Sequence, residues 1–110
     1  MRSTIEVLKA ARKLIKDPTR WTKDTYARNA AGAETAVRAK DATCFCAAGA
    51  VCRVLGVGAW ARNGRKARLR EAAIKRLNKY NTGGIFTTND RLGHAETIRV
   101  FNRAIRDLSK

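Results

Sequence analysis

The sequence has one proline, one histidine and one methionine, and only nine acidic residues against 24 lysines and arginines. A single proline and eight glycines in 110 residues exclude a collagen-like or proline-rich chain. No apolar run nears the roughly 18 residues of a transmembrane helix. The start, Met1-Arg2-Ser3-Thr4-Ile5-Glu6, mixes charge into a helical pattern, so no signal peptide is expected. Cysteine is scarce and crowded: Cys44, Cys46 and Cys52 lie within nine residues. An odd, clustered set is a poor disulfide framework and reads as reduced thiols of a cytoplasmic protein, two of them packed as small hydrophobes. The length fits one domain, residues 1–110, with a single modest core.

The shortage of acids leaves a formal net charge of +15. It is unevenly spread. Between Arg62 and Lys79 lie eight basic residues and one acid, Glu71, so 18 residues hold +7. Residues 81–110 hold only +2, from five basic and three acidic side chains.

Periodicity predicts mostly helix. Ser3-Thr4-Ile5-Glu6 forms a capping box for a helix over Thr4–Lys16, stopped by Asp17-Pro18. Lys9, Arg12, Lys13 and Lys16 make a basic stripe beside its apolar face. Between Thr19 and Lys40 the chain reads as a short irregular hairpin, one strand around Trp21–Tyr26 and a return at Thr35–Val37, packed on the helices through Trp21 and Tyr26. Thr43 is the expected N-cap of a central, buried helix over Cys44–Leu55, ended by Gly56. Its Ala48-Gly49-Ala50 would let a neighbouring backbone come close. Val57–Gly64 reads as a loop, Lys66–Tyr80 as a helix, Ile85–Thr88 as an extended or buried link, and His94–Leu108 as the last helix. The fold class is mainly α (α+β): a compact bundle of about four helices with one small β-hairpin.

Several segments in order are familiar together: Trp21-Thr22, Ala27-Arg28, Cys44-Phe45-Cys46-Ala47-Ala48-Gly49-Ala50, and Asn89-Asp90 before a helix ending Phe101-Asn102-Arg103-Ala104-Ile105. This order resembles a family of small bacterial and phage proteins classed as a domain of unknown function. Phe45 and Thr88 stand where that family often has tryptophan. The resemblance implies a cytoplasmic, often phage-associated setting and carries over no catalytic role.

The basic segment is the strongest functional signal. Cations that neutralise phosphates release condensed counterions, and a strongly basic domain meets the first criterion for a nucleic-acid binder. Arg62, Arg65, Lys66, Arg68, Lys75 and Lys79 are the expected phosphate contacts, with Arg99, Arg103 or the first-helix lysines as a second set. Trp21, Trp60, Tyr80 and Phe86 offer rings for base stacking. The partner is then DNA or RNA, with weak sequence preference. The same charges would serve a phage-type inhibitor that occupies an acidic surface of a host nuclease or defence complex, in the manner of an anti-CRISPR protein. A merely solvated basic surface is the plain alternative.

A third reading is an enzyme centred on Cys46. At the third position of its helix the thiolate would be favoured by the helix dipole, with His94 as base and Asn89 or Asp90 as orienter. Against it stand a packed thiol and a histidine that only starts a helix. Zinc is not expected, because Cys44, Cys46, Cys52 and His94 lack ligand spacing. No cofactor and no membrane partner are expected, since no helix joins bulky exposed apolar residues to its lysines. Asn89-Asp90-Arg91-Leu92-Gly93 reads as a turn and cap.

Overall fold

In the computed structural model, which describes residues 3–110, the Ser3 hydroxyl accepts the Glu6 amide at 3.3 Å and donates to the Glu6 carboxylate at 3.1 Å. That pair opens α1 (Thr4–Ile15), whose Val7, Leu8, Ala11 and Ile15 are buried. Asp17 then caps a short turn over Pro18–Arg20 by accepting the Thr19 amide and hydroxyl, each at 2.9 Å.

The hairpin exists, but not where the residue preferences place it. Its strands are β1 (Ala27–Asn29) and β2 (Ala42–Phe45), antiparallel, with Ala27 opposite Phe45 and a bulge between Arg28 and Asn29. Thr35–Val37 is not a strand. The chain does return beside β1, but only as a single antiparallel bridge of Glu34 to Arg28, with the Thr35 amide on the Ala27 carbonyl at 3.1 Å, and Trp21 makes a lone parallel bridge to Phe45; side chains hold the rest of the loop. Asn29 Oδ1 accepts the Ala31 and Ala33 amides at 3.0 and 3.1 Å, and Arg53 donates to the Val37 and Ala39 carbonyls at 2.9 and 2.8 Å. Trp21 and Tyr26 do pack against the core, as expected.

The central helix starts three residues later than expected. Thr43 is an exposed strand residue, and the N-cap of α2 (Ala47–Leu55) is Cys46. Ala42 and Phe45 are both buried although three residues apart, because the bulge skips Thr43 and brings them to one face. Gly56 ends α2 in the left-handed conformation, φ 69°. The helix is buried nearly all round, and its Gly49 lies against the backbone of Tyr26.

A loop leads to α3 (Arg65–Leu77), followed by one tight turn over Asn78–Tyr80. Ile85–Thr88 is not extended. It lies largely in a one-turn helix, α4 (Gly84–Thr87), started by the Asn78 side chain, which accepts the Ile85 amide at 2.7 Å. A wide turn over Thr88–Leu92 follows, closed by the Gly93 amide on the Thr88 carbonyl at 3.1 Å. The last helix, α5 (His94–Leu108), has the expected bounds. Helices α1, α2, α3 and α5 share one core with the hairpin, filled by Phe45, Phe101, Leu8, Ile15, Leu77 and Ile85. The molecule is mainly α with a small hairpin. Among the described residues no helix is long and apolar enough to cross a membrane.

Candidate nucleic-acid interface

Helix α3 buries Ala67, Arg70, Ala73 and Leu77. Arg68 and Lys75 therefore project from the opposite side, seven residues apart, and Lys79 continues that line in the following turn. All three are exposed, as are Arg62, Arg65 and Lys66 around the start of the helix. Seven residues of helix span about 10 Å, so the cations stand as a row rather than a knot. Arg70 departs from this pattern. Only 8 % exposed, it donates to the Gly58 carbonyl at 2.7 Å and to the Ala61 carbonyl. Its charge belongs to the scaffold, and the surface segment is one cation poorer than the sequence count.

Helix α5 links this row to the stripe on α1. On one flank Arg12 donates to Asn102 at 2.9 Å. On the other, the Arg103 guanidinium lies 5.1 Å from the centre of the Tyr80 ring, whose hydroxyl donates to Asp107 at 2.8 Å. A groove of about 610 Å³ between α1 and α5 is lined by Lys9, Arg12, Lys13, Lys16, Ile98 and Asn102. A second, of about 430 Å³, is lined by Thr4, Ala72, Lys75, Arg76, Lys79 and Leu108. The ends of α3 and α5 and the start of α1 thus meet around lysines and arginines. Arg99 pairs with Glu96, and Lys110 with Asp107. Of the expected second contacts, Arg99 is shared with a carboxylate and Arg103 is partly occupied by a ring.

The sequence reading missed the role of Asn89. This residue is 1 % exposed. Its Oδ1 accepts the Trp21 indole N–H at 2.8 Å and the Ala47 amide at 2.9 Å; its Nδ2 donates to the Thr22 carbonyl at 3.1 Å and to Asp90 at 3.0 Å. Asp90 in turn accepts the Asp24 amide at 3.0 Å. One amide side chain therefore ties the segment after the first turn to the start of α2. The only signal in the sequence was the Asn-Asp pair, which equally fits an ordinary turn.

Cys46 is not at the third helical position. As N-cap, its sulfur accepts the Gly49 amide at 3.2 Å. Burial pushes the thiol up to about 11, outweighing the amides that favour the thiolate. His94 does not serve it: its Nε2 meets the Ile15 carbonyl at 2.7 Å, and its ring packs edge-on against Trp21. Near neutrality a thiol of this kind is almost wholly protonated. Site-resolved mass spectrometry of alkylation at pH 8 should find Cys46 at least about a hundredfold slower than a free thiol. Labelling at the free-thiol rate would contradict the buried, protonated state.

No curated protein and no solved structure matches the chain. The family of unknown function DUF6197 matches residues 1–107, nearly the whole length, and the chain belongs to that family.

Proposed function

We propose that this protein binds nucleic acid in the cytoplasm, mainly through phosphate contacts. The observation that carries the reading is the row of exposed cations on α3, Arg68, Lys75 and Lys79, with a second basic groove between α1 and α5 that holds Lys9, Arg12, Lys13 and Lys16. Nine acids cannot balance 24 bases, and an external polyanion supplies the missing charge. Exchange of condensed counterions for these side chains provides the driving force. The start of α3 adds to it. The N-cap Gly64 offers no side chain and the first turn holds no acid, so Arg62 and Lys66 lie near the positive end of the helix dipole. That arrangement is unfavourable alone and favourable beside an anion. The contacts are of the positioning kind, and little sequence preference follows.

The test is the triple variant Arg68→Gln/Lys75→Gln/Lys79→Gln in a binding assay with DNA and RNA across a salt series. These side chains are exposed, so stability should change little. The expected result is at least about a tenfold loss of affinity at low salt, and a salt slope shallower by about two to three, since each phosphate contact contributes about one. A variant that binds like the parent protein at every salt concentration would remove this face from the interface.

A further inference from the structure

Among the described residues Trp60, Phe86 and Leu92 are the exposed large hydrophobics, and two of them meet at one ring. Trp60 is 82 % exposed and Phe86 44 % exposed, and both rings pack edge-on against Tyr26, each 6.1 Å from its centre. Three aromatic rings from separate parts of the chain thus form one continuous ledge. Trp60 is not on a slack loop. The Ala61 amide closes a turn on the Gly58 carbonyl at 3.3 Å, and the buried Arg70 guanidinium holds the carbonyls of both Gly58 and Ala61. The clamp fixes the backbone on either side of the tryptophan and leaves its ring in water. Exposure of so large a ring on a braced turn costs solvation without benefit to the fold.

Beside the ledge lies an open hollow of about 570 Å³ with Tyr26, Val37, Ala59 and Trp60 in its walls. Arg38 and Glu34 both line it, and exposed Arg62 follows Trp60 by two residues. The Phe86 end differs: Asp24 and Asp90 line a smaller hollow there with Tyr26 and Cys46. The Trp60 end thus carries Arg38 and Arg62 beside one carboxylate, Glu34, whereas the hollow at the Phe86 end holds two carboxylates and no cation.

We propose that this ledge stacks the bases of a single-stranded nucleic acid, whose phosphates follow the Arg38–Arg62 side and turn away before the carboxylates. The inference rests on the phosphate-binding reading and adds the ligand's form. A duplex hides its base faces in the stack, whereas an unpaired base presents a face to a side-chain ring, whatever its identity. Charge at one border and apolar rings at the centre match a strand with exposed bases better than a paired helix.

The experiment compares three DNA ligands of equal phosphate number per strand by fluorescence anisotropy: a mixed-sequence single strand, an abasic strand and a duplex. The single strand should bind about tenfold tighter than the abasic strand, and tighter than the duplex. Tryptophan emission should be quenched by the base-bearing strand and not by the abasic one. Trp60→Ala, at an exposed position, should abolish the advantage of bases while leaving abasic binding unchanged; Trp60→Phe should restore part of it. Equal binding of base-bearing and abasic strands would overturn the ledge and leave the phosphate reading standing. A base advantage that survives Trp60→Ala would overturn it also. Failure of all three ligands to bind at low salt would remove both readings together.

Discussion

Replacing Asn89 with alanine is expected to remove about 4 kcal/mol of stability, from the loss of several buried hydrogen bonds and the stranding of their partners. The Trp21 indole N–H, the Ala47 amide and the Thr22 carbonyl all lose the same partner. A domain of this size has roughly 5–15 kcal/mol in total, so the melting temperature should fall by about 15–20 °C in calorimetry. The loss is large because α2 has a weak cap. A thiol is a poor acceptor, and Asn89 supplies the start of the helix from 42 residues away. Asn89→Asp keeps an acceptor but places a buried carboxylate beside Asp90. Its destabilisation should be greatest when that carboxylate is ionised and should ease as the pH falls. A shift of only a few degrees for Asn89→Ala would mean that the hub does not hold the segments together.

Gly49→Ala should be as damaging, and its sign is informative. Inside an exposed helix, glycine to alanine gains about 1 kcal/mol. Here a Cβ would lie 2.0 Å from the Tyr26 carbonyl oxygen and 2.9 Å from its carbon. Both are backbone atoms, and that oxygen also accepts the Cys46 amide at 3.2 Å, so neither side can yield cheaply. The expected outcome is a loss of more than about 3 kcal/mol, the usual upper range for overpacking a core. Circular dichroism melts of the variant beside the parent protein decide it. A neutral or stabilising result would contradict the close approach of α2 to the segment before β1. Because Tyr26 stands at the middle of the aromatic ledge, any Gly49→Ala protein that still folds should also bind base-bearing strands less well.

Local signals carried most of the helices. The capping box at Ser3–Glu6 and the left-handed Gly56 were legible because each rests on residues adjacent in sequence. The small residues around Gly49 correctly announced a close backbone approach. What failed was non-local. Nothing near Thr43 reveals that residues 42–45 pair with 27–29, since the partner strand lies across a long loop whose contacts, such as those of Arg53 and Asn29, are themselves non-local or irregular. With the strand occupying those positions, the helix had to begin at Ala47, and Cys46 moved from the third turn position to the cap. Ile85 and Thr88 are buried, one of the two expected states, but the segment is helical rather than extended for a similar reason: Asn78, seven residues earlier, starts the short helix there. The exposed basic residues were readable from composition alone, but the burial of Arg70 was not, because its partners are carbonyls of the Trp60 turn.

If unbalanced cations on α3 and α1 hold a nucleic-acid strand, salt probes that contact directly. Affinity for a DNA or RNA strand should be measured between about 50 and 200 mM salt, with the logarithm of the binding constant plotted against that of salt concentration. For about five phosphate contacts the slope should be about −3.5 on a single strand, so affinity falls by about two orders of magnitude over that range. A flat plot, or no binding at the lowest salt, would contradict it.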